Sequence, residues 1–141
     1  MLKKIKRFQR LATLRKRDMS KEISNSNLLE KEIVKNQNLI NQINLIMENG
    51  KVENDKELVS AGYLKNNLQL LSTLQSQKNI ANNRQNYLLS EKKIIQSKII
   101  VNNIKKIKAE EKSYEYKKNY NQELENKNII YILYYVIFLK K

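Results

Sequence analysis

The chain contains no cysteine, histidine, proline or tryptophan, and only two glycines in 141 residues. Without cysteine or histidine there is no zinc site, thiol nucleophile, disulfide or imidazole acid–base chemistry. Two separated glycines, Gly50 and Gly62, cannot build a glycine-rich phosphate loop. Aspartate is scarce too: Asp18 and Asp55 are the only two, and both fall in polar stretches. The twelve glutamates lie along charged faces with lysine neighbours. The chain therefore reads as a non-enzyme that needs no metal or cofactor. The absence of cysteine also fits a reducing interior.

What is present suits long helices better than a compact globule. Apolar residues make up 40% and charged residues 30%, with two Phe and eight Tyr. Helices packed along a stripe need few large side chains, whereas a globular core needs more. The net charge is +14. "MLKKIKRFQRLATLRKR" alone holds eight Lys or Arg and no acid. That stretch lacks the apolar segment of a secretory signal. It shares its basic character with mitochondrial presequences, but the helical pattern runs through it without a break.

Positions 8, 12, 15, 19, 22, 26, 29, 33, 36, 40, 43 and 47 alternate in steps of four and three. They read Phe, Ala, Arg, Met, Glu, Ser, Leu, Ile, Asn, Ile, Ile and Met. This spacing lines one narrow helical face suited to a partner helix and predicts a first helix over about residues 2–47. A second pattern follows. Leu74, Ala81, Leu88 and Ile95 recur every seven residues, as do Ile80, Tyr87, Ile94 and Val101 one position to the side. The two columns predict a broad apolar stripe continued by Ile100, Ile104 and Ile107, on a second helix over about 56–127.

Between them, the turn is expected over about 48–55. Gly50 suits a left-handed C-cap, and Asn54 or Asp55 an N-cap. Gly62 is then either a soft spot in the first turns of the second helix or the end of a longer loop. The fold class is all-α: two long helices in an antiparallel coiled-coil hairpin with unequal arms, roughly 70 Å and 105 Å at about 1.5 Å per residue. A single bent helix that dimerises is the competing arrangement. In the hairpin, the second helix overhangs by several turns from about Asn102, leaving Tyr114, Tyr116 and Tyr120 without an intramolecular partner. Residues 128–141 form a separate apolar tail. Its run 129–139 is rich in β-branched and aromatic residues, which favours a strand or an aggregation-prone segment, while Tyr131, Tyr134 and Tyr135 with the final lysines also suit a membrane interface. It reaches only about half of a ~30 Å hydrocarbon core if helical.

"RFQRLATLRKRDMSKEI", "SAGYLKNNLQLLSTLQSQKNI" and the Lys- and Glu-rich "KKIKAEEKSYEYKKNYNQELENK" together resemble the FliJ family of flagellar type III export over about residues 5–127. The resemblance implies an antiparallel coiled coil similar to the central stalk of rotary ATPases. It further implies cytoplasmic location, peripheral at the inner face of the cell membrane. The partners implied are the hexameric export ATPase, the linker of the export-gate membrane protein, and export chaperones. On this resemblance, ATPase binding falls to the basic end, for which Arg7, Arg10, Arg15, Arg17, Lys105 and Lys106 are the candidates. Replacing Arg10, Arg15 and Arg17 with Glu is then expected to abolish it. The gate contact falls on Leu39, Ile43, Ile46, Leu70, Leu74 and Ala81, where this chain has aliphatics rather than the family's frequent aromatics.

The residues themselves leave other partners open. A basic helix with Ile5, Phe8 and Leu11 on one side can lie on anionic lipid, giving a membrane-associated tether assisted by the apolar tail. It can also bind nucleic acid, although Phe8 is the one aromatic near it.

Overall fold

The computed structural model describes residues 1–54 and 61–140. It consists of two helices, α1 (Leu2–Asn54) and α2 (Ala61–Leu139), and no strand occurs among the described residues. With no proline in the chain, nothing removes a backbone donor from either helix. The two form an all-α helical hairpin, as the sequence predicts, but its limits differ from those expected.

The chain divides into two units. A terminal unit comprises Met1–Glu22 and Lys98–Lys141, and a hairpin unit comprises Ile23–Ser97. In the hairpin unit the helices run antiparallel in a defined register. Asn36 Nδ2 donates to Gln85 Oε1 at 2.7 Å, and Gly50 lies against Leu71. From the first pair to the second is two heptads forward in α1 and two heptads back in α2. The seam holds a single period throughout.

All twelve positions of the predicted first seam are buried or half-buried, and the pattern extends to Ile5 at one end and Gly50 at the other. In α2 the buried and half-buried positions again follow steps of four and three, from Asn67 through Leu74, Ala81, Leu88 and Ala109 to Tyr120. The second apolar column behaves otherwise. Ile80 and Tyr87 are 66% and 63% exposed, and Ile94, Val101, Ile100, Ile104 and Ile107 also face outward. A two-helix seam accepts two positions per heptad. The column one residue earlier lies about 100° round the helix and stays outside.

Gly50 corrects the expected turn. It is helical, no described glycine has a positive φ, and α1 continues past it to Asn54. Its place, three residues after Met47, is the next seam position. A Cβ there would sit 3.3 Å from Leu71 Cδ2, so the glycine admits close approach of α2 rather than ending α1. Asn67 Nδ2 donates to the Gly50 carbonyl at 3.5 Å across the same gap. Asn54 is the last residue of α1, not an N-cap, while Asp55 and the expected start of the second helix at 56 lie outside the described residues. Gly62 falls in the first turn of α2 with open space around it.

Asn36 and Gln85 in the hairpin seam bond to each other and to the backbone across it. Asn36 is 6% exposed and donates to the Ala81 carbonyl at 2.9 Å as well as to Gln85. Gln85 Nε2 in turn donates to the Ile33 carbonyl at 3.4 Å. A hydrogen-bonded polar layer of this kind inside an apolar seam specifies register and orientation. Lys92 occupies a seam position with its stem half-buried and carries its ammonium out to Glu30 at 2.7 Å.

In the terminal unit the expected overhang is mostly packed. Phe8 stacks on Tyr116, with ring centroids 5.6 Å apart and planes 12° off parallel. The Lys4 ammonium lies 5.5 Å from the Tyr116 centroid. Tyr120 is half-buried, and Tyr114 alone of the three is 71% exposed. The unpaired part of α2 starts at Asn121, and every residue from there to Lys140 is exposed. The expected helix end at 127 is also absent: α2 continues through the apolar run to Leu139, so 129–139 is helix and not strand.

Candidate functional site

Charge divides unequally between the units. Along the sequence the terminal unit carries 19 Lys and Arg against 7 Asp and Glu, a net +12. The hairpin unit carries 9 against 7, a net +2. The register accounts for this. It brings the basic start of α1 into one unit with the Lys-rich 98–118 of α2.

The six basic candidates do not play equal parts. Arg7, Arg10, Arg17 and Lys105 are exposed. Arg10 and Arg17 share a row with Lys3 and Lys6 on the side of α1 away from the seam, at steps of three, four and seven. Lys6, Arg10, Thr13, Leu14 and Arg17 border a shallow groove on that surface. Arg15 and Lys106 instead occupy seam positions and are half-buried. Arg15 Nε is buried without a hydrogen-bond partner, and its guanidinium reaches Asp18 only at 3.9 Å. Charge reversal at Arg15 therefore disturbs packing as well as surface potential. Sequence reasoning missed Lys3 and Lys6, although their spacing to Arg10 was the signal that could have found them.

The six apolar candidates divide in the same way. Ile43, Leu74 and Ala81 are core residues, each less than a tenth exposed. Leu39, Ile46 and Leu70 are about half exposed, and each lies one position before a seam residue, on one flank of the hairpin unit. Leu39 shares a cleft of about 220 Å³ with Ile80 and Arg84. Tyr87 borders a second cleft, of about 350 Å³, with Leu28 and Glu32. The 3.2 Å Arg84–Glu32 pair links residues that border the two clefts. Leu28, Ile80 and Tyr87 belong to this exposed set and were not among the candidates.

Among the described residues no group of three or more acidic side chains is placed to hold a metal ion. Nor is any helix among them long and apolar enough to cross a membrane. The surfaces available are thus a basic face, an aliphatic flank and an uncovered helix end, all of them suited to docking. Comparison with protein-family models, with curated proteins and with solved structures finds no match to the chain.

Proposed function

We propose that the protein is a non-catalytic coiled-coil component of flagellar or related type III protein export. Its basic terminal unit binds the hexameric export ATPase in the manner of a central stalk. Its flank at Leu39, Ile46 and Leu70 serves the linker of the export-gate membrane protein, and export chaperones are further partners. This reading places it in the cytoplasm, peripheral at the inner face of the cell membrane. The observation that carries it is the concentration of +12 in the unit that holds both ends of the chain, within an antiparallel hairpin of unequal arms. Such a body is drawn quickly and in one orientation into an acidic ring. Support over nucleic acid comes from Phe8, the one aromatic of α1, which stacks on Tyr116 and is not free to receive a base.

The test is ATP hydrolysis by the export ATPase of the same genome, with and without the protein. Stimulation is expected from the full chain and from a chain ending at Lys127. The triple variant Arg7→Glu, Arg10→Glu, Arg17→Glu spares the seam and is expected to lose at least about tenfold in affinity, since each reversal changes the local charge by two. Unchanged affinity, or no stimulation by a well-folded wild type, overturns the reading.

A further inference from the structure

The last eleven residues of α2, Ile129–Leu139, are apolar without interruption and wholly uncovered. Exposures here run from 45% at Val136 to 77% at Tyr131. As a helix, the run sorts its side chains by kind. Tyr131, Tyr134, Tyr135 and Phe138 follow the spacing i, i+3, i+4, i+7 and share one face, on which the Tyr134 and Phe138 rings stack at 6.4 Å. Ile129, Ile132, Leu133 and Val136 follow the same spacing two residues out of phase, which sets them on the opposite face. One side is purely aliphatic, and the other presents three phenol hydroxyls above an apolar body.

We propose that this helix end lies in the plane of an anionic bilayer surface, with the aliphatic face toward the acyl chains and the tyrosine face at headgroup level. Three observations select lipid as the occupant. The helix is apolar on both faces, so a groove on a protein would cover one and leave the other wet, whereas the interface gives each face its own medium. The run spans roughly 16 Å, too short to cross a ~30 Å hydrocarbon core but ample for an in-plane segment. Its charge setting is cationic: Lys127 precedes it, Lys140 and Lys141 follow it, and no acid occurs after Glu125. The surrounding unit at +12 attracts anionic headgroups and repels a second copy of itself. This goes beyond the ATPase reading and does not depend on it, because the export stimulation above is expected from a chain that lacks the segment.

The experiment uses the full chain with sedimentable vesicles of phosphatidylcholine, alone or with about a third phosphatidylglycerol. Partition at least about tenfold stronger onto the anionic vesicles is expected. The double variant Ile132→Asp, Val136→Asp is expected to lose at least about tenfold of that partition while circular dichroism shows the paired helices intact. The chain has no tryptophan, so Leu133→Trp and Tyr134→Trp each supply a single reporter. Brominated acyl chains are expected to quench the tryptophan at 133 more strongly than the one at 134. Failure of the wild type to bind anionic vesicles overturns the proposal. So does undiminished binding by the double Asp variant, which would assign binding to the basic face alone. Equal quenching at the two positions overturns the in-plane orientation. Burial of the run in concentration-dependent oligomers without vesicle binding gives the site to a second copy.

Discussion

Gly50 shows how one residue's meaning depends on the partner across from it. In a chain with two glycines, a cap is the expected use, because helices commonly end on a left-handed glycine. Here the residue continues a row that the sequence displays openly, three residues beyond Met47, and it faces Leu71. Alanine at this site gains up to about 1 kcal/mol of helix propensity. The crowding it meets comes from the far end of a half-buried leucine, which can shift. Gly50→Ala is therefore expected to stabilise the protein by up to about 1 kcal/mol. Gly50→Leu is expected to cost about 1–3 kcal/mol through overpacking. Urea denaturation followed by circular dichroism measures both. Gly62 provides the control: nothing lies within 4 Å of its Cβ position, so a large residue there meets no such resistance.

At the level of elements, the first seam was legible position by position, since its alternation of four and three runs unbroken from Phe8 to Met47. The second was not. Two equally apolar columns stand side by side in α2, and hydrophobicity alone does not say which one faces α1. The seam also admits Lys92 and Lys106, residues a hydrophobic template rejects. Their placement depends on contacts across the interface, such as Lys92 with Glu30, that involve both helices at once. The apolar run at 129–139 was misjudged for another reason. β-Branched content is a strand signal only where a strand partner exists, and here the residues continue an established helix that needs no nucleation of its own. Truncation after Tyr120 removes 19 of the 132 helical residues (53 in α1 and 79 in α2) and no seam position. It is expected to lower the helical dichroism by about a seventh while leaving the melting temperature of the paired helices within a few degrees. A fall in melting temperature of more than about 10 °C would show that the unpaired stretch supports the seam.

For the whole molecule, the sequence made the fold class plain, because a period of 3.5 sustained in two segments leaves few alternatives. The candidate surfaces were only half legible. Of the twelve residues singled out, Arg15, Lys106, Ile43, Leu74 and Ala81 serve the seam, and exposure rather than residue type distinguishes them from the rest. The segregation of charge was hidden as well, since it appears only when the register joins residues 1–22 to 98–118. It bears directly on docking. On the proposed export role, binding of the terminal unit to an acidic ring is expected to weaken steeply as salt rises from about 0.05 to 0.2 M, where the screening length roughly halves. Contacts made by the near-neutral hairpin unit are expected to change little, and titrations of the ATPase and of the gate linker across that range compare the two.

The Asn36–Gln85 layer also governs how a chain of this design can vary in length. One residue added to either arm rotates everything beyond it by about 100° and turns the seam outward. Seven added to one arm between these layers restore the face but shift the arms past each other, parting Asn36 from Gln85 or Gly50 from Leu71. Matched gains or losses of seven in both arms are the ones that keep every layer. Evolution can lengthen or shorten such a hairpin by whole rungs, as a ladder is lengthened, with both rails growing together.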